Sequence, residues 1–382
     1  MSNLGVYIHI PFCLRKCHYC DFLSFGSGSS AMSDERVYLA YTTALLNEIA
    51  HTPELNRDSL IIDTIFIGGG TPSVLPPDYI AEILDAVRGK HSPCVPEMTL
   101  ECNPATVTIE TLAAYKRMGI NRLSFGLQSA NDEELALLGR LHSYDDFRHN
   151  YSAARDAGFM NISADIMFSL PGQNIVTWRN TLERVAGLKL EHISAYGLII
   201  EDGTPFAKMH DDGKLLIDDA LDRDMYAIAG EILGDHGYER YEISNFAKPG
   251  YHSRHNEKYW TRAEYIGLGL GAHSLMNETR WRNTESFKEY ITDNEIPESI
   301  RCDRTVLTKL DAMAEFMFLG LRLSRGISEA EFYKAFGHEL YSIYGNQIKK
   351  HIALETLAAE RGRVYLTERG VSVSNVVMGE FI

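Results

Sequence analysis

Between Gly5 and about Gly203 the chain alternates short apolar runs, rich in β-branched residues, with longer stretches in which apolar residues recur every three or four positions. The apolar runs Gly5–Ile10, Thr64–Ile67, Met98–Glu101, Arg122–Gly126, Asn161–Phe168 and His192–Ile200 read as strands. The periodic stretches Asp34–Ala50, Pro77–Val87, Ile109–Met118, Ser143–Ala157 and Ile175–Leu188 read as helices, with a shorter helix, Asp132–Leu138, after the fourth strand. Strands alternating with helices imply parallel βαβ units. Near-continuous apolar strands imply helices over one face and a packed interior against the other. Six such units predict an α/β fold, a partial (β/α)6 barrel; a Rossmann-like open sheet is the alternative.

Beyond Gly203 the pattern changes. Leu221–Leu233 reads as a helix ended by Gly234, and Tyr238–Ile243 alternates like a strand. A polar, aromatic stretch follows at Tyr251–Trp260, and charges and Pro297 predict a linker at Asn283–Asp303. Helices are expected at Leu307–Leu323, Ser328–Phe336 and Ile343–Leu357, then a hairpin of Val364–Leu366 with Val371–Val373. That is a small α+β, winged-helix-like module. The expected division is residues 1–235, an extension at 236–300, and a C-terminal domain at 301–382.

Polar and glycine residues gather where the predicted strands end. Strand one runs into Cys13, Cys17 and Cys20, spaced Cys-x3-Cys-x2-Cys; strand two ends Gly68-Gly69-Gly70-Thr71-Pro72. Strand three ends Glu101-Cys102-Asn103-Pro104, strand four Gly126-Leu127-Gln128-Ser129, and strand five carries Asp165 into Leu170-Pro171-Gly172. Barrel enzymes build their sites at this face. A structural zinc site commonly uses four ligands in paired knuckles. Three close cysteines suffice for three irons of a [4Fe–4S] cluster and leave the fourth iron open. The three glycines either bare backbone to a ligand or form a tight turn before Pro72.

Composition narrows the function classes. Net charge is −15, which argues against a nucleic-acid surface, since phosphate binding calls for clustered Lys and Arg, and against docking on anionic lipid. No apolar run reaches membrane-spanning length, no signal peptide is visible, and six cysteines, of which Cys94, Cys102 and Cys302 are scattered, make no secreted disulfide framework. A reducing cytoplasm is expected.

Cys13-x3-Cys17-x2-Cys20, Gly68–Pro72 and the six βα units together resemble the radical S-adenosylmethionine (SAM) superfamily. Tyr7-Ile8-His9-Ile10-Pro11-Phe12-Cys13, Glu101-Cys102-Asn103-Pro104 and Leu170-Pro171-Gly172-Gln173 are similar to its oxygen-independent coproporphyrinogen III oxidase branch. The oxidase carries a further cysteine two residues after the third cluster cysteine, where this chain has Phe22, and a longer N-terminal extension. Both departures, and His255-Asn256-Glu257-Lys258-Tyr259-Trp260, resemble the HemW group of heme chaperones.

The resemblance implies a [4Fe–4S] cluster on Cys13, Cys17 and Cys20, with adenosylmethionine at the open iron. Tyr7 and Tyr19 would contact that cofactor, Tyr19 at the adenine. Gly69, Gly70 and Thr71 would meet the methionine amino group through backbone atoms, and Glu101, Gln128, Arg140 and Asp165 would bind methionine and ribose. Asp165 toward ribose hydroxyls and Arg140 toward a carboxylate also make chemical sense unaided. Heme would be cargo, with His255 first as axial ligand and Tyr259, His252 and His273 behind it. Implied partners are acceptor heme proteins, such as membrane respiratory complexes, and an electron donor such as flavodoxin or ferredoxin if the cofactor is cleaved. Decarboxylation of coproporphyrinogen III propionates, or radical chemistry on another substrate, are the alternatives.

Overall fold

The computed structural model describes residues 2–26, 34–56, 60–88, 96–215, 218–292 and 296–382. Six parallel strands follow one another in order: β1 (Ser2–Ile10), β2 (Leu60–Gly69), β3 (Glu97–Cys102), β4 (Arg122–Gln128), β5 (Ile162–Phe168) and β6 (His192–Gly197). Helices α1 (Glu35–His51), α2 (Pro77–Arg88), α3 (Ile109–Arg117), α4 (Asp132–Leu137), α5 (Tyr144–Asp156) and α6 (Ile175–Ala186) connect them. Five of the six helix starts carry a side-chain cap. Asp34, Thr108, Asn131, Ser143 and Asn174 accept first-turn N–H groups that would otherwise lack partners. The predicted partial (β/α)6 barrel is the observed architecture, and the sheet stays open at both edges.

The same sheet takes in the region after Gly203. β7 (Glu239–Arg240) and β8 (Asn245–Ala247) extend it antiparallel beyond β6. The seven-residue helix α7 (Arg254–Trp260) leads to β9 (Tyr265–Leu268), which lies parallel to β1. The antiparallel strands β10 (His273–Met276), β11 (Thr279–Asn283) and β12 (Arg301–Val306) complete that edge. The expected strand Tyr238–Ile243 shrinks to the two residues of β7.

The linker expected at Asn283–Asp303 is instead built into the fold. Asn283 is 1% exposed and donates to the buried carboxylate of Glu48 on α1, and Arg301–Val306 is a strand. Pro297 opens a helical turn rather than breaking structure, a position its fixed φ suits.

Residues 307–382 form a second core around Met313, Met317, Phe332, Ile348 and Val364, separate from the barrel core. Three helices, Lys309–Gly320, Glu329–Phe336 and Leu340–Ala353, pack with a three-stranded sheet. The hairpin pairs Leu357–Glu360 with Arg363–Leu366, not Val364–Leu366 with Val371–Val373. Thr367 Oγ1 accepts the N–H of Gly370 and caps a helix, Glu368–Ser372, over the second expected strand. The helix expected to reach Leu357 ends at Ala353, because Glu355 turns at φ +59°.

One expectation about the barrel fails in an informative way. Its strands are not apolar on both faces. Ile65 and Ile67, Leu100 and Cys102, Leu123 and Phe125, Ala164 and Ile166 pack in the core. The alternate positions, Phe66, Glu101, Arg122, Ser124, Asp165 and Ser194, line a chamber inside the barrel. Side chains alternate between faces along a strand, so the helices cover the apolar set and the barrel encloses a largely polar one.

Candidate functional site

The strand C-termini deliver the cysteine loop, the glycine run and the polar strand-end residues to one cleft. Cys13, Cys17, Tyr19, Cys20, Gly69, Gly70, Thr71, Glu101, Gln128, Arg140 and Asp165 all line it. The cleft thus takes in every residue expected at the cluster and its ligand except Tyr7.

The glycine run holds the loop against the sheet. Gly70 N–H donates to Ile10 O at 2.8 Å and Thr71 N–H to Phe12 O at 2.7 Å, and Thr71 Oγ1 lies 3.4 Å from Cys13 Sγ. A Cβ on Gly70 would sit 2.8 Å from Phe12 O and 3.1 Å from Cys13 Sγ. Gly69 has φ +117°, and a Cβ there would enter the His9 ring at 2.6 Å. These glycines exist for close approach, which excludes the simple tight turn. Their N–H groups are spent, since Gly69 donates to Glu101 Oε2 at 3.1 Å. A ligand ammonium, itself a donor, would therefore meet carbonyl oxygens here.

The donor set fits an iron–sulfur cluster. Cys13, Cys17 and Cys20 are unpaired thiols. Among the described residues no three His, Cys, Asp or Glu side chains converge closely enough to share one metal ion. A cubane takes each thiolate on a different iron and asks for no such convergence. Arg140 Nη1 lies 3.5 Å from Cys17 Sγ while Nη2 donates to Gly126 O, so a cation stands beside the thiolates. Burial pushes the Cys20 thiol up to about 11, and Cys13 is raised for the same reason.

Gln128 reaches the cleft through a bulge. The β4–β5 register shifts between Gly126 and Gln128, and Gln128 adopts φ +72°, a strained conformation for a side-chain-bearing residue. Burial and the neighbouring Asp165 push the Glu101 carboxyl up to about 8. Asp165, raised by burial, lies 3.4 Å from Ser124 Oγ. Gln173, in the Leu-Pro-Gly-Gln motif, donates to Glu134 at 3.0 Å, and Glu134 accepts from Ser129 at 2.5 Å. That motif locks two loops together from outside the cleft.

Tyr7 and His255 lie beneath the cleft, in the barrel chamber that shares Glu101, Ser124 and Asp165 with it. Tyr7 points to His9 rather than the cluster loop. His9 Nε2 lies 2.8 Å from Leu23 O and must donate to it, so Nδ1 accepts the Tyr7 hydroxyl at 3.0 Å.

His255 lies away from the cleft. Helix α7 plugs the end of the barrel opposite the cysteines: Glu97, the first residue of β3, accepts the N–H groups of Arg254 and His255, and Lys258 pairs with Asp63 at 2.8 Å. His255 is 1% exposed, with Nδ1 2.8 Å from Thr64 Oγ1 and Nε2 2.9 Å from Tyr259 Oη. Both ring nitrogens are engaged in hydrogen bonds, and burial pushes the imidazole down to about 3. Of the other candidates, His252 stacks on Tyr241 at 4.2 Å and His273 is exposed on β10; neither lines the cleft.

Sequence reasoning missed His9, Arg122, Ser124, and the pair Arg15 and Lys16 at the cleft wall. The period-two alternation within each strand carries the signal for Arg122 and Ser124, which share a face with Gly126 and Gln128.

Comparison with known proteins agrees with this geometry. Residues 7–185 match the radical SAM superfamily model and residues 307–373 the HemN C-terminal domain model. The chain is 36% identical to the heme chaperone HemW of Bacillus subtilis, covering 99% of each, and 35% identical to that of Escherichia coli, covering 76% of each. The structure superposes on coproporphyrinogen III oxidase (HemN) from Escherichia coli with a TM-score of 0.85 at 21% identity, covering 100% of this chain and 90% of that one. Among the described residues no helix is long and apolar enough to cross a membrane. With cluster-type cysteines, a partial barrel and a full-length relationship of this strength, the chain belongs to the HemW family of the radical SAM superfamily.

Proposed function

We propose that this protein is a cytoplasmic heme chaperone that binds heme and passes it to acceptor heme proteins, membrane respiratory complexes among them. The observation that carries this reading is the 36% identity over 99% of both chains to a heme chaperone HemW. Phe22, in place of the oxidase's further cysteine, supports it; the side chain is 63% exposed at the cleft wall. Leu14 and Leu141 are also exposed, beside Cys13 and Arg140, and Arg15 and Lys16 add two cations. An apolar rim with adjacent cations complements a flat apolar macrocycle bearing carboxylates.

In this reading Cys13, Cys17 and Cys20 hold a [4Fe–4S] cluster, and the cleft holds adenosylmethionine at its open iron. Once bound and reduced by a donor such as flavodoxin or ferredoxin, that pair supplies radical-generating chemistry. Glu101 and the glycine-run carbonyls orient the methionine ammonium, Arg140 its carboxylate, Asp165 and Gln128 the ribose, and Tyr19 the adenine. Tyr7 acts from below, by holding His9.

Titrating hemin into the anaerobically reconstituted protein tests the reading. It predicts a stable, stoichiometric Soret complex; no complex leaves the reading without its cargo. The retained adenosylmethionine residues favour a second reading, radical decarboxylation of coproporphyrinogen III. Vinyl product formed with adenosylmethionine and reductant would establish that activity and displace the first.

A further inference from the structure

The barrel interior contains a cation with no hydrogen-bonded partner. Arg122 opens β4 and is 2% exposed. Its Nε has no hydrogen-bond partner, and among the described residues no hydrogen bond or ion pair reaches its guanidinium. An arginine side chain stays charged in a protein, and a buried guanidinium whose N–H groups find no acceptor is unfavourable. Evolution rarely leaves such a group in a chamber unless something completes it.

The chamber wall shows what would. Arg122 lines it with the hydroxyls of Ser124, Ser194 and Tyr196, and Phe66 adds an apolar wall. Glu101 and Asp165 close the upper side, toward the cleft. Burial and Asp165 push the Glu101 carboxyl up to about 8, and burial raises Asp165 as well, while Arg122 draws both the other way without hydrogen-bonding to either. The guanidinium therefore faces the chamber without an acceptor of its own, and its planar fork matches a carboxylate. Below, α7 seals the chamber through His255 and Tyr259, so entry is from the cleft, past Glu101 and Asp165.

We infer that the chamber is a binding site for a carboxylate, held by the Arg122 guanidinium directly beneath the cleft. Its hydroxyl-rich wall solvates the acid, and its size suits a small acid or the acid arm of a larger ligand seated above. The site rests on Arg122 alone and not on the chaperone reading.

The test is the thermal midpoint of the full-length, cluster-reconstituted protein titrated with sodium propionate, against sodium chloride of equal ionic strength and neutral propionamide. Propionate should raise the midpoint saturably, by a few degrees at large excess over its dissociation constant; chloride and propionamide should not. Arg122→Met should abolish the rise, and Arg122→Lys, which keeps the charge without the fork, should weaken binding about tenfold or more. No saturable rise, or an equal rise in Arg122→Lys, overturns the inference, and that second variant decides the matter even where Arg122→Met fails to fold. Hemin and hemin dimethyl ester then distinguish the sources. Competition by hemin but not its ester identifies a tethered propionate as the occupant, whereas simultaneous binding identifies a free acid.

Discussion

Glu101 Oε2 accepts the backbone N–H of Gly69 at 3.1 Å, joining the end of β3 to the glycine run beside the cysteine loop. A Cβ on Gly68 would lie 2.9 Å from the same oxygen, so strand two is glycine where the carboxylate must cross it. Truncating Glu101 to alanine removes a proposed adenosylmethionine contact and leaves the half-buried Gly69 N–H without its acceptor. Adenosylmethionine affinity should fall about tenfold to a hundredfold, with the cluster's visible absorption retained. Equilibrium dialysis alongside the absorption spectrum checks both; unchanged affinity contradicts the assignment.

Gly69→Ala places a methyl group in the His9 ring at a φ that alanine disfavours. Because His9 also anchors Leu23 and Tyr7, the strain passes into the loop that carries the cysteines. The variant should lose about 2–4 kcal/mol of stability and reconstitute its cluster incompletely. Urea unfolding and iron content per chain measure the two effects.

On the proposed reading Arg140 would tune a cluster without holding it. Its guanidinium lies 3.5 Å from Cys17 Sγ, and donors or cations at a cluster sulfur favour the reduced, more negative state. Arg140→Leu should lower the midpoint potential by tens of millivolts, about 60 mV for a tenfold change in a one-electron couple. Cys17→Ser should abolish the cluster's full absorption. An anaerobic redox titration tests the first, and an unshifted midpoint refutes it.

Glu48 ties the 269–290 region to α1. It accepts from Gly269 N–H at 2.8 Å, Tyr290 Oη at 2.6 Å and Asn283 Nδ2 at 2.7 Å. Burial nevertheless pushes its carboxyl up to about 7. A carboxyl with a raised folded value contributes its stability fully below the unfolded value. That contribution is lost as pH rises toward about 7, about 3 kcal/mol in all. Glu48→Gln should remove this slope from stability measured between pH 4.5 and 7.5; parallel slopes in the two proteins would contradict it.

The site residues adjacent in sequence were legible because contiguous motifs carry their own chemistry. Cys13, Cys17 and Cys20 announce themselves by spacing, and Gly68–Gly70 by having no side chains. Three features were hidden for physical reasons. Val371–Val373 has strand propensity, but the Thr367 cap and tertiary packing put Val371 and Ser372 in a helix and Val373 in the turn that ends it. Asn283 sits among charges typical of a linker, yet its amide completes a buried carboxylate 235 residues earlier in the chain. His255 lies in a motif that resembles a ligand's, and only the fold reveals Thr64 and Tyr259 on its two nitrogens.

The claim that the protein is a chaperone is a claim about delivery, and delivery has a direct measurement. Hemin-loaded protein is mixed with an apo heme protein, and the acceptor's Soret band is followed at increasing acceptor concentration. The account predicts equimolar transfer at a rate that rises with acceptor concentration, as handover within a complex requires. A rate independent of acceptor, set by release of heme to solvent, or no transfer at all, would contradict it.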